Sequence, residues 1–233
     1  MIPLVYCIAN TVVPSPLDQV RTIVTEQNYS SMRAAMVESQ LRTSDVSDQR
    51  VIAAMAKVPR EDFVPADRRA MAYIDRPIPL VGGRSLNPPL VTGRLLTEAQ
   101  VAPGDKVLLI GAATGYAAAL LSELGAQVTA VEEEGGAEIA LPGVTVARGA
   151  LNAGAADDAP YDLLFIDGAV EEVPAALVQQ LGEDARVVTG IVDRGVTRLC
   201  VGRVVAGVLG LSSLADIEMV VLPGFGAPKG FVF

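Results

Sequence analysis

The sequence predicts an α/β protein: a doubly wound, mostly parallel sheet, an antiparallel C-terminal hairpin and an N-terminal helical extension. Three observations predict it. From residue 104 onward, short apolar runs with strand character alternate with helical segments. The run Val107-Leu108-Leu109-Ile110 ends in a turn of small residues, Gly111-Ala112-Ala113-Thr114-Gly115, before Tyr116 and an Ala-rich helix. Beyond Thr197 helical periodicity stops, and strand-like stretches follow at Thr197 to Val205, Ala215 to Leu222 and Gly230 to Phe233.

The elements follow in order. Met1 to Val13 is apolar but has no basic leader and no clear small-residue cleavage site, and Pro14 and Pro16 break it. It is too short to span a bilayer. Residues 1–29 are expected to be a poorly ordered extension, with a signal peptide as the alternative. Met32 to Leu41 is expected to be helical. Ser47-Asp48 caps a second helix with apolar positions Val51, Ile52, Met55 and Val58. Pro59 to Pro65 ends it, and Asp75 to Gly83 is a turn-rich loop. Asn87 is a credible N-cap, with Pro88 and Pro89 suited to a first turn, for a helix over Leu90 to Gln100. Pro103-Gly104-Asp105 leads into the central strand.

After the Ala-rich helix, Val128-Thr129-Ala130-Val131-Glu132 is a second buried strand that ends on an acid. Strand, tight turn, helix, strand, acid is the layout of a nucleotide-binding βαβ unit. Small residues at the turn let the backbone approach a ligand, and the helix presents free N–H groups at its start. Ala113 replaces a middle glycine, so the turn suits S-adenosylmethionine (SAM) better than a pyrophosphate. An α/β core turn with no ligand is the alternative. Only Ala137 to Leu141 has room for a helix before the strand Val144 to Ala147. Tyr161 to Gly168 is a buried strand, Pro174 to Leu181 a helix and Arg186 to Val192 a strand.

Composition narrows the chemistry. The 233 residues are 51% hydrophobic and 4% aromatic, without Trp, so Ala, Val, Leu and Gly must fill a sizeable core. A net charge of −9 argues against nucleic acid or an anionic membrane surface as partner. With no histidine, Ser/His and Cys/His nucleophilic machinery is excluded and the commonest metal ligand is missing, so no metal is expected. Cys7 and Cys200 imply no disulfide framework.

Several segments, in order, carry a resemblance. They are Val58-Pro59-Arg60-Glu61-Asp62-Phe63-Val64-Pro65, Ala72-Tyr73-Ile74-Asp75-Arg76-Pro77-Ile78-Pro79-Leu80 with Gly83, Gly104-Asp105-Lys106-Val107-Leu108, Gly115-Tyr116-Ala117-Ala118, and Leu177-Val178-Gln179-Gln180-Leu181 before Arg186-Val187-Val188. From Met36 to Phe233 the chain resembles the protein-L-isoaspartate O-methyltransferases, which are SAM-dependent class I methyltransferases. The resemblance implies a Rossmann-like SAM-binding core over 104–233. It also implies a helical and substrate-loop region over 30–103, with 30–233 forming one domain. The implied reaction is methyl transfer from SAM to isoaspartyl (D-aspartyl) carboxylates of damaged proteins, by a cytoplasmic monomer whose partners are isoaspartyl-containing proteins or peptides.

The family loop Gly-Gln-Thr-Ile-Ser-x-Pro stands here as Gly83-Arg84-Ser85-Leu86-Asn87-Pro88-Pro89, so Asn87 takes the serine position. By resemblance, Ser85 and Asn87 meet the reacting carboxylate. Gly111, Ala113, Gly115 and Tyr116 cradle the methionine part, Glu132 holds the ribose, and Gly149 and Asp167 complete the cofactor site. The family's Gly-Asp-Gly near the adenine is Gly149-Ala150-Leu151 here. Two alternatives stay open: a methyltransferase-fold binding module without turnover, and a methyltransferase for another acceptor.

Overall fold

A computed structural model of the chain describes residues 28–226. The expected N-terminal extension and the Gly230 to Phe233 strand lie outside the described residues, apart from 28 and 29. Seven strands form one sheet in the order β5-β4-β3-β6-β7-β8-β9. They are β3 (Lys106–Ile110), β4 (Gln127–Glu132), β5 (Val144–Arg148), β6 (Tyr161–Val170), β7 (Leu181–Asp193), β8 (Val196–Val205) and β9 (Val208–Asp216). The first five are parallel, and β8 and β9 add antiparallel. A small hairpin of β1 (Ile78–Pro79) and β2 (Ser85–Leu86) stands apart.

The centre of the sheet explains the apolar run. In β3, Val107 and Leu109 belong to one core cluster, while Leu108 and Ile110 belong to the other. Side chains of a strand alternate between faces, so a strand covered on both sides must be apolar throughout. The first cluster joins the sheet to the helices: residues 28–36 (α1, continuing into Val37–Leu41), α2 (Gln49–Lys57), α3 (Pro89–Ala99) and α4 (Tyr116–Glu123). The second cluster packs Leu164, Ile166, Leu177, Leu222 and Phe225 on the other face.

Four expectations need correction. Pro88, not Asn87, is the N-cap residue of α3, and no side chain caps it. Residues 137–141 form no helix, so the β4–β5 connection is open chain. The expected helix over Pro174 to Leu181 shrinks to α5 (Ala175–Val178), because Leu181 already pairs with Tyr161 in the sheet. The second hairpin strand is Val208–Asp216, ahead of the stretch Ala215 to Leu222. Ala206 and Gly207 both have positive φ, 51° and 74°, and make a two-residue turn suited to the twist of a hairpin. Residues 217–222 instead pass beside β6, where Ala169 and Val221 form an isolated bridge.

Among the described residues, no helix is long and apolar enough to cross a membrane, and no three His, Cys, Asp or Glu side chains are grouped to hold a metal. Cys200 is a buried free thiol. Cys7 lies outside the described residues.

Candidate active site

A cavity of about 430 Å³ opens over the C-terminal ends of β3 and β4. Ligands of open α/β sheets bind at this end of the strands. Its walls come from three parts of the chain: Asp62 to Pro65, Leu80 with Val81 and Arg84, and the core residues Ala113, Thr114, Glu132 and Gly135 to Glu138.

The turn after β3 has the conformation the glycine pattern implied. Gly111 has φ 78° and Gly115 has φ 95°. Ala113 also sits in the left-handed region, at φ 53°. The backbone thus keeps the shape of a glycine turn although an alanine occupies its middle. A Cβ at residue 111 would lie 2.8 Å from Leu222 Cδ1 and would push that side chain aside, and the positive φ itself favours glycine.

Glu132 ends β4 with its side chain 1% exposed. It accepts hydrogen bonds from Ala113 N at Oε2 (2.6 Å) and from Glu133 N at Oε1 (3.0 Å). Arg84 Nη1 donates to the same Oε1 and forms a buried ion pair. A carboxylate offers about four lone-pair sites. Three are taken, and the fourth, on Oε2, has no protein donor.

Behind the turn lies a second charged layer. Asn87 is 1% exposed and fully engaged. Its Nδ2 donates to Asp167 Oδ1 (2.9 Å) and Asp167 O (3.0 Å), and its Oδ1 accepts from Val220 N (2.9 Å). Asp167 is buried, and burial pushes its pKa above the usual carboxylate value, opposed by Asn87 and by the guanidiniums of Arg60 and Arg84. Arg60 is wholly buried and donates to Ala72 O (2.7 Å) and Asn87 O (2.5 Å). Its guanidinium lies 4.7 Å from the centroid of the Tyr116 ring. That ring in turn packs 5.5 Å from Phe63.

The structure therefore sorts the expected residues. Ala113 and Glu132 line the cavity, and Gly111 and Gly115 shape the turn beneath it. Tyr116, Gly149, Asp167, Ser85 and Asn87 do not line it. Tyr116 and Asp167 belong to the buried layer, and Gly149 N donates to Glu132 O (3.1 Å). Ser85 is half-buried in β2, opposite Pro79. Sequence reasoning missed Arg84 and Thr114. Arg84 carried one signal: it is a cation where the family loop has a neutral glutamine.

The cavity fits an adenosine-bearing ligand on two structural counts. Thr114 Oγ1 is buried without a partner on its wall, and Glu132 keeps an open acceptor site.

Comparison with known proteins follows the same lines. Residues 31–203 match the family described as Protein-L-isoaspartate(D-aspartate) O-methyltransferase (PCMT). A protein-L-isoaspartate O-methyltransferase of Koribacter versatilis is 39% identical over 203 residues, 82% of this chain and 90% of the relative. One from Methanoculleus marisnigri is 37% identical over 171 residues, covering 70% and 78%. Among solved structures, a protein-L-isoaspartate O-methyltransferase superposes with a TM-score of 0.72 at 24% identity, over 82% of this chain and 66% of the other. A Plasmodium falciparum protein described as a beta-aspartate methyltransferase (PCMT), in complex with S-adenosyl-L-homocysteine, superposes with 0.66 at 16% identity, over 83% and 97%. At these identities the two structures establish likeness of fold.

Proposed function

The chain belongs to the protein-L-isoaspartate(D-aspartate) O-methyltransferase family, and from that premise we propose that it methylates the carboxylate of isoaspartyl residues in proteins, with SAM as donor. One observation carries the assignment to this site: the cavity at the ends of β3 and β4 has the 111–115 turn as its floor and Glu132 on its wall. Bound there, SAM supplies an electrophilic methyl group on its sulfonium. Glu132 accepts a ribose hydroxyl at its open site. The turn brings backbone close to the amino-acid end.

A protein with no histidine can do this chemistry. A carboxylate has a reference pKa of about 4 and is already ionised at neutral pH. It needs no general base, only alignment and removal of water. Asp62 to Pro65 and the Leu80 to Arg84 loop wall the cavity and supply that exclusion. Asn87, held between Asp167 and Val220, fixes the loop against the end of β6 rather than meeting the substrate. The same reading takes the protein as a cytoplasmic monomer. Its net charge of −9 favours peptide over nucleic-acid acceptors.

The test is transfer of labelled methyl from SAM to a peptide containing one isoaspartyl residue, beside its aspartyl twin. Labelling of the first alone is expected. SAM binding with no transfer to either would point to another acceptor. A second reading, a binding module without turnover, is favoured by the full engagement of Asn87 at the serine position. Failure to bind SAM is its signature.

A further inference from the structure

Arg84 is the one side chain of the 81–89 loop that reaches the ribose acid, and it is only partly used there. Its backbone is fixed, because Arg84 O accepts from Leu80 N (2.8 Å). Its side chain is 8% exposed. Nη1 serves Glu132 and lies 3.5 Å from Glu133 Oε2. Nε and Nη2 are buried without a partner.

The two idle nitrogens are not a random pair. Nε–H and Nη2–H lie on one edge of the guanidinium and point the same way. That edge binds a carboxylate side-on with two parallel hydrogen bonds. A buried donor left unmade is costly, so two on one edge ask for a ligand. The location fits: Arg84 lines the cavity, and Nη2 is 3.4 Å from where a Cβ on residue 111 would stand. The other charged side chains on the cavity wall are acids, Asp62, Glu132 and Glu138, so Arg84 is the cation there that a ligand carboxylate can meet.

We propose that the Nε–Nη2 edge of Arg84 is a carboxylate-binding fork, filled by a carboxylate of a ligand in this cavity. The assignment rests on the methyltransferase reading. Two sources offer the group: the amino-acid end of the donor, and the isoaspartyl acceptor. In either case Arg84 ties that ligand to Glu132 through one guanidinium.

The experiment compares the full chain with Arg84→Gln and Arg84→Lys. Calorimetric titration uses SAM and 5′-methylthioadenosine, which keeps the ribose and adenine but lacks the carboxylate. Peptide kinetics are measured beside it. If the donor fills the fork, Arg84→Gln weakens SAM by roughly 10–100-fold and leaves 5′-methylthioadenosine unchanged. If the acceptor fills it, both nucleosides bind as before and KM for isoaspartyl peptide rises by a similar factor. Arg84→Lys, a point charge without a fork, recovers only part of either loss. Equal weakening of both nucleosides would show that Arg84 acts only through Glu132, and no change in any quantity would show an idle edge; both overturn the proposal. If Arg84→Gln does not fold, Arg84→Lys keeps a positive charge beside Glu132 but has no fork, and gives the same ligand comparison. An unaltered chain that binds neither nucleoside would overturn the functional reading itself, a result distinct from a silent Arg84.

Discussion

Ala113 holds φ 53°, a conformation that costs an L-residue roughly 1–2 kcal/mol. Glycine there would relieve that strain but add about 0.5–1 kcal/mol of unfolded-chain entropy. Ala113→Gly is therefore expected to change stability by under about 1 kcal/mol in urea titration. The turn's shape was legible in its small residues, even though the middle glycine is missing. Asn87 was legible only as a loop residue. Its partners, Asp167 and Val220, stand 80 and 133 residues away, and no local pattern links them. Asn87→Ala leaves the Val220 N–H and the Asp167 carboxyl without their partner, and should cost roughly 2–3 kcal/mol. Asp167 gives a pH signature. Its pKa is raised by burial in the folded chain. Its contribution to stability is thus full below the unfolded value of about 3.9 and lost as pH rises through the folded value. Asp167→Asn should gain in Tm relative to the unaltered chain as pH rises from about 4 to 8. A constant gap across that range would contradict the assignment.

At the scale of elements, the strands at the centre of the sheet were the most legible parts. β3 and β4 are buried on both faces; the unbroken apolar run Val107 to Ile110 announces it in β3, and Val128, Ala130 and Val131 around Thr129 do so in β4. The start of α2 was also written locally. Asp48 accepts from Arg50 N at 2.8 Å, as a capping residue should. Burial raises its pKa, but hydrogen bonds and charge from Arg50 outweigh this and leave the carboxyl below its usual value. Its stabilisation is therefore present above the unfolded pKa and lost as pH falls through the folded one. Asp48→Ala should cost about 1 kcal/mol at neutral pH, and the deficit should close in strong acid. The C-terminal hairpin turn is hard to read locally because Ala206-Gly207 lacks an Asn-Gly or Asp-Gly signature. The shortened α5 has a tertiary cause. Gln180 Nε2 donates to Ala153 O (2.7 Å) and Ala176 O (2.9 Å), and Gln180 Oε1 accepts from Ala155 N (2.9 Å). These bonds pull the chain into β7 one turn after the helix begins.

For the whole molecule, the sheet order sets the site. Placing β3 between β4 and β6 brings Glu132 from one neighbour and Asp167 from the other to the same end of the sheet. The loop before α3 then adds Arg84 to the first acid and Asn87 to the second. The family and core were legible from ordered segments along the chain. The pairing of loop cation with strand-end acid was not, because it joins residues 48 positions apart. If this end of the sheet is a working methyl-donor pocket, calorimetric titration of the full chain with SAM gives a Kd in the micromolar range, about −8 kcal/mol. Thermal stabilisation of about 2.7 kcal/mol is expected when SAM reaches a hundred times Kd. No heat and no shift in Tm at millimolar SAM would contradict that reading, leaving the fold of a methyltransferase without its donor.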